Sequence, residues 1–379
     1  MADEPRPEHE VGQGIGSSVG KDTTDPTEVP PSPTDQPVQP VQQPHGIYAG
    51  GVGDGDGSDV GDDDDDGDAD SALDVRSIGT VSDSLTSSIL RFRVENGRTY
   101  HSYKDGSYFM PNDDRENERL NLQHNLCMMT IGWKLYISPI DQRPVNRVLD
   151  IGCGTGVWSM EFADDHPEAH VIGIDLSPIQ PSFVPPNVSY YIDDVEAEWT
   201  YSTPFDFIFT RMMLGCIRNW PEFFQQSFDN LTPGGYLESF EPVFPVRCED
   251  DTYPQECALR KWFDLLDEGT RKVRSELPPL EVQKQRLVDA GFVNIVTREY
   301  KWPMNTWPSD KKQKEFGSLV LANLEEGIQG MTMAMFTRVL GWTKEQVELF
   351  LVDVRKDIRN TNMHVYYPIA VISAQKPEQ

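Results

Sequence analysis

The sequence predicts an α/β fold, a doubly wound and mostly parallel sheet with helices on both faces, and two observations predict it. From residue 145 onward, short apolar runs alternate with helical stretches, the pattern of parallel strands joined by crossover helices. The first run, Val148-Leu149-Asp150-Ile151, opens into Gly152-Cys153-Gly154-Thr155-Gly156. Glycines at such a strand-to-helix turn let the backbone bend tightly and approach a ligand closely. A chain of 379 residues fits one large domain or two small ones.

Before that core lies a segment that composition removes from the fold. Residues 1–75 hold 19 Asp and Glu against Arg6 and Lys21, a balance of -17 within a whole-chain charge of -29. Val29, Val38, Val41 and Ile47 stand alone among Pro, Gly, Asp and Gln, too sparse to offset the cost of chain ordering. Residues 1–90 are therefore read as a disordered acidic tail, with the domain over 91–379. The run GDGDGSDVGDDDDDGDAD does not make a hand-type calcium loop. Counted from Asp54, its sixth and twelfth positions are Asp59 and Asp65, where Gly and Glu are needed.

Charge and cysteine usage exclude further classes. An excess of 62 acidic over 33 basic residues disfavours direct nucleic-acid binding, which needs clustered Lys and Arg. The start MADEPRPEHE has neither the basic nor the apolar part of a signal peptide, and no run of 18 apolar residues occurs. Five cysteines without a C-x-x-C pair give no metal pattern and fit a reducing compartment. The expectation is an intracellular protein, cytoplasmic or nuclear, with no metal and no membrane contact. The tail leaves a protein partner open.

The elements then follow in order. The first patterned segment begins near Asn96, and a helix is predicted from Asp113–Glu118 to near Ser138. Leu120, Cys127, Met128 and Ile131, and beside them Leu122, Leu126, Met129 and Trp133, have helical spacing. Residues 96–140 form this N-terminal cover. The core, 145–300, reads as strands VNRVLDIG, HVIGID, VSYYID, FDFIFT, GGYLESFEPVF and FVNIVTREY. Helices are expected to about His166, over WPEFFQQSFDNL up to a stop at Pro233 and Gly234, and over 258–274 and 280–290. A helical insertion over 305–360 precedes the last strand, HVYYPIAVISA, at 364–374.

The glycine turn is not the dinucleotide fingerprint, whose third glycine would fall at 157, where the chain has Val157. Its partners specify another ligand. Asp175, closing the second strand 19 residues after Gly156, can accept hydrogen bonds from both hydroxyls of a ribose. Asp194, after the third strand, can accept from an exocyclic adenine amine, and the Val195 amide can address a ring nitrogen. Asp150 can hold an ammonium group. Amine, carboxylate, ribose and adenine without a pyrophosphate describe S-adenosylmethionine.

These residues resemble the motifs of class I S-adenosylmethionine-dependent methyltransferases. The segments GRTYHSYKDGSYFMPNDDRENERLNLQHNL, DLSPIQPSFVPPNV, RMMLGCIRNWPEFF, LTPGGYLESFEP and FTRVLGW are together similar to the fungal LaeA-like methyltransferases, over about residues 96–377. The resemblance implies a Rossmann-like, seven-stranded sheet with a reversed final strand and an N-terminal helix over the cofactor. It implies that Asp150, Gly152, Gly154 and Gly156 cradle the methionine end, that Asp175 takes the ribose and Asp194 with Val195 the adenine, and that Arg211 borders the methionine moiety. A small-molecule acceptor in secondary metabolism is one implication, and a regulatory or protein-directed role as a nuclear complex subunit is the other.

Methyl transfer needs alignment first and a general base only if the acceptor is protonated. No catalytic motif must therefore appear. His124, Tyr103, Glu241 and His364 are the candidate bases. His124 shares the ridge of Leu120 and Cys127 and reads more readily as a packed histidine. Met212, Met213, Met331, Met333 and Met335 read mainly as core, and the Trp-Pro pairs at 220, 302 and 307 as turn anchors.

Overall fold

The computed structural model describes Ile47–Tyr48 and residues 91–379 apart from 274 and 276. The reading of residues 1–90 as a disordered tail, and with it the rejected calcium loop, lies almost entirely outside the described residues. Within that stretch Ile47–Tyr48 (β1) forms a two-residue strand.

The remaining elements are β2 (Arg93–Glu95), β3 (Arg98–Tyr100), α1 (Asp114–Thr130), β4 (Arg147–Ile151), α2 (Val157–Asp165), β5 (His170–Asp175), β6 (Val188–Ile192) and β7 (Phe205–Arg211). They continue with α3 (Trp220–Asp229), β8 (Leu231–Pro242), α4 (Ala258–Lys272), α5 (Leu280–Asp289), β9 (Val293–Pro303), α6 (Lys311–Ala334), α7 (Lys344–Ile358) and β10 (Tyr366–Gln375). The main sheet runs β1-β6-β5-β4-β7-β8-β10-β9. Strands β6 to β8 are parallel, and β10 is antiparallel to both neighbours, with Val371 opposite Phe240 and Arg298. The seven expected strands, β4 to β10, are present, the last of them reversed. The eighth is β1, antiparallel to β6 through the register Ile47 to Ile192.

The period-2 alternation of the strands divides the core between the two faces. Val148, Val171, Phe207 and Phe209 pack on Trp158 and Phe162 of α2. Leu149, Ile151, Ile172 and Ile208 pack instead on Trp220, Phe223 and Phe224 of α3 and Leu287 of α5. A third cluster joins Phe240, Trp302, Ile369 and Val371 at the reversed end of the sheet to α1, α4, α6 and α7. The insertion between β9 and β10 is thus a packed layer. Met333 and Met335 are buried in it, as core-filling methionines would be.

Three boundaries differ from expectation. Helix α1 ends at Thr130 and not near Ser138, because Gly132 (φ 75°) and Trp133 (φ 61°) turn left-handed and the Trp133 amide bonds the Met128 carbonyl. Trp133 therefore leaves the helical ridge and stands 65% exposed. Helix α3 ends at Asn230, whose amide bonds the Gln226 carbonyl, while Pro233 and Gly234 already belong to β8. The last strand starts at Tyr366, two residues after His364. An unexpected hairpin, β2–β3, precedes α1. Asn96 (φ 52°) and Gly97 (φ 84°) occupy the two positive-φ positions that a two-residue hairpin turn requires. No described helix is long and apolar enough to cross a membrane, and no group of three or more His, Cys, Asp or Glu among the described residues could hold a metal ion.

Candidate functional site

The site is built at the carboxyl ends of β4, β5, β6 and β7. Gly152, Gly154 and Gly156 all take positive φ (67°, 56° and 76°), so the turn has no side-chain equivalent. Space forbids one as well. A Cβ at Gly152 would strike the Met213 sulfur, and one at Gly156 would strike the Tyr190 hydroxyl. Gly156 caps α2 in the left-handed region, and its carbonyl accepts the Tyr190 hydroxyl at 2.7 Å. The third glycine thus comes one residue before the dinucleotide position because it is itself the N-cap.

The turn fixes Asp175. The Gly154 amide donates to Asp175 Oδ2 and the Ser177 amide to Oδ1, both at 2.9 Å. The Leu176 amide bonds the same carboxylate, and an ionised carboxylate has about four acceptor sites, so capacity remains for a hydroxyl donor. Burial raises the Asp175 pKa, and these amides oppose that rise. Asp150 is 3% exposed and accepts the Ser159 hydroxyl. Burial pushes its carboxyl up to about 6, against the pull of Ser159 and of the Arg211 guanidinium. A cationic ligand group beside it would favour the ionised form.

Helix α1 lies across this loop. Its Asn121 accepts the Thr155 hydroxyl at 2.9 Å, and its Leu120 approaches Gly154. The expected cover helix is therefore in place. Arg211, at the end of β7, meets α1 as well, with Nη2 at 3.2 Å from His124 Nδ1, while His124 Nε2 lies 3.0 Å from Glu161 Oε2 of α2. Buried Glu116 and Arg119 pair, and Arg119 donates to Asn323 at 3.0 Å, which anchors α1 on α6.

Asp194 lies beyond β6, as expected, but its Oδ2 meets Lys104 Nζ at 2.9 Å and its Oδ1 accepts the Glu196 amide at 3.0 Å. Val195 packs beside it, its carbonyl accepting the Trp199 indole at 2.9 Å. Lys104 comes from the stretch preceding α1, braced by buried His101, whose ring nitrogens lie 2.6 Å from the Tyr103 carbonyl and 3.2 Å from that of Tyr108. Tyr103 faces Asp193 and Asp194, and burial raises its phenol.

Two candidate bases sit elsewhere. Glu241 is 8% exposed and accepts the Leu214 amide at 2.8 Å, so it braces the turn after β7 from behind. Burial lifts its carboxyl to about 7. His364 pairs with Asp250 at 2.6 Å and stacks on Trp307, and its amide donates to the Thr252 hydroxyl at 2.9 Å.

Residues 122–295 match a family described as a methyltransferase domain. Methyltransferase pytC of Aspergillus terreus is 39% identical over 308 residues, covering 80% of this chain and 95% of that one. The chain belongs to the LaeA-like, S-adenosylmethionine-dependent methyltransferases. Secondary metabolism regulator LAE1 of Cochliobolus heterostrophus is 35% identical over 292 residues, 76% of this chain and 95% of that protein. Protein-methionine methyltransferase laeA of Emericella nidulans is 34% identical over 292 residues, 76% and 77% of the two chains. The cofactor of this methyltransferase is S-adenosylmethionine. When bound, it supplies a methyl group already activated by a sulfonium. The residues present fit it: a cradle that a Cβ would fill, a pinned carboxylate for hydroxyls, and a buried acid beside the turn.

Sequence reasoning passed over Tyr190, Lys104 and Glu161, and it read Met213 mainly as core, whereas the Met213 sulfur lies against Gly152. Tyr190 alternates with Val188 and Ile192 toward one face of β6, so periodicity alone could have placed it beneath the turn.

Proposed function

We propose that this methyltransferase moves the methyl group of S-adenosylmethionine to oxygen or nitrogen of a small molecule in fungal secondary metabolism, inside the cell. In this reading Asp150 and the three glycines hold the methionine end, with Arg211 bordering it. Asp175 takes the ribose, and Asp194 with Val195 the adenine. The observation that carries the reading is the Asp175 carboxylate, pinned by the amides of Gly154 and Ser177 beside an unbroken glycine turn. A chain retained only as a scaffold would not need that geometry. Higher identity to pytC, at 39%, than to LAE1, at 35%, supports turnover.

The chemistry asks little of the protein beyond alignment in a dry site. His124 does not serve as the base, because both ring nitrogens already have partners. An acceptor whose attacking atom already holds a free basic lone pair at working pH, a neutral amine or a phenolate, needs none in order to attack.

One observation favours a second reading, a protein-directed enzyme. The relative laeA is named a protein-methionine methyltransferase, and here the Met213 thioether packs directly on Gly152 of the cofactor turn. Metabolite profiling of a deletion strain separates the two. The small-molecule reading expects one missing product and an accumulated precursor lighter by one methyl. Broad loss of many products, or a methyl gained by a methionine-containing peptide of the purified protein after incubation with the cofactor, would establish the second.

A further inference from the structure

Arg211 stands at the end of β7, and Asp150, the acid that precedes the glycine turn, is buried. A long guanidinium side chain at such a place has many rotamers and needs something to aim it. The cover helix supplies two groups, the buried Cys127 thiol, which hydrogen-bonds Arg211, and His124. His124 of α1 is 3% exposed and faces Arg211 of β7 and Glu161 of α2.

The partners decide the state of the ring. A guanidinium can only donate, so the Nδ1 atom 3.2 Å from Arg211 Nη2 must carry a lone pair. The remaining N–H is then on Nε2, directed at Glu161 Oε2 at 3.0 Å. A neutral imidazole satisfies both neighbours at once, whereas an imidazolium would set one N–H against another. Burial, the largest influence, and then Arg211 lower the histidine's pKa, while Glu161 acts in the opposite sense. Both favour the neutral form that the geometry requires.

We propose that His124 is a positioning residue: neutral His124 aims Arg211 at the methionine end of the cofactor and, through Glu161, locks the cover helix onto α2. The inference rests on the cofactor reading above and adds a regulation to it. The lock opens on the acid side. As pH falls below the ordinary histidine range the ring gains a proton, its contact with Arg211 is lost, and cofactor binding weakens. Asp150, which faces Arg211, titrates at about 6 and weakens binding in the same direction, so the comparison must be between variants.

The test titrates the full chain with S-adenosylmethionine between pH 7.5 and 5.5. It uses wild type, His124→Asn, which keeps an acceptor at the Nδ1 position but does not titrate, and His124→Phe, which keeps the shape alone. At pH 7.5 the Phe variant should bind about tenfold more weakly, the loss of one charge-assisted hydrogen bond, and the Asn variant within about threefold of wild type. Across the pH range the Asn variant should lose less affinity than wild type. Wild-type affinity in a folded Phe variant, equal losses in both variants, or parallel pH profiles for Asn and wild type would overturn the positioning role alone. If the Phe variant does not fold, the Asn profile decides. Failure of wild type to bind at any pH would remove the cofactor reading and this inference with it.

Discussion

The two halves of the main sheet use buried carboxylates in opposite ways. At the parallel end, Asp150 and Asp175 sit on a glycine turn with oxygens left for a ligand. At the reversed end, Glu238 is fully buried, and its bonds converge on Oε2. It accepts the Ile137 amide at 2.9 Å, the Ser138 amide at 2.7 Å and the Ser138 hydroxyl at 2.6 Å. Desolvation raises the acids of both halves, Asp150 to about 6 and Glu238 to about 7. What separates them is the partner each is built for. In the proposed function the parallel end meets the cofactor, whereas the reversed end uses its carboxylate to pin the segment that follows the cover helix. In that reading the parallel half carries binding, and the reversed half with its helical layer carries rigidity.

The sharpest way to break that comparison is at Trp262 of α4, which is 1% exposed and donates its indole N–H to Thr332 of α6 at 2.8 Å. Trp262→Ala should cost roughly 3–5 kcal/mol of stability in a denaturant titration. The fraction still folded should bind the cofactor almost as wild type does. A large loss of affinity in that fraction would show that the helical layer shapes the cofactor site directly.

Glu238 gives the next largest effect, through pH. Its carboxyl is raised to about 7 from an ordinary value near 4.5, so the folded chain holds this proton more tightly than the unfolded one. The stability it contributes is complete below pH 4.5 and is lost as pH rises through 7, by roughly 3 kcal/mol in total. Glu238→Gln cannot ionise. The advantage of wild type over this variant should therefore shrink from pH 5 to pH 8 in thermal melts, and a constant gap would contradict the assignment.

Lys104 should give the smallest effect. Its ammonium is 43% exposed and its partner Asp194 16% exposed. Pairs of this kind contribute at most about 1 kcal/mol, so Lys104→Ala should change cofactor affinity by less than about fivefold. A larger change in either direction would mean that the stretch before α1 controls access to Asp194.

The same division governs what the sequence disclosed. The parallel half was legible, because Asp150, the glycines, Asp175 and Asp194 occur at fixed offsets from strand ends, and a strand end is a local property. Its side-chain contacts were not, since the bonds from His124 to Glu161 and Arg211 span 37 and 87 residues and leave no periodic trace. In the reversed half, Glu238 and Glu241 sit on opposite faces of β8, where alternation places them, but nothing in LESFEP says that each would accept amides from a distant loop. The end of α1 was overrun because hydrophobic spacing continues through Trp133, while the stop depends on the left-handed Gly132. The hairpin at Asn96-Gly97 and the alternation that places Tyr190 on β6 were local signals passed over.

The central claim, that the glycine turn and its pinned carboxylate hold S-adenosylmethionine, is tested most directly by calorimetric titration of wild type and Asp175→Ala with that cofactor. The account predicts saturable binding by wild type. It predicts affinity lower by about 100-fold in the variant, the loss of two hydrogen bonds to a charged acceptor, with a melt that shows both proteins folded. No heat with wild type, or equal affinity in the two proteins, would contradict it.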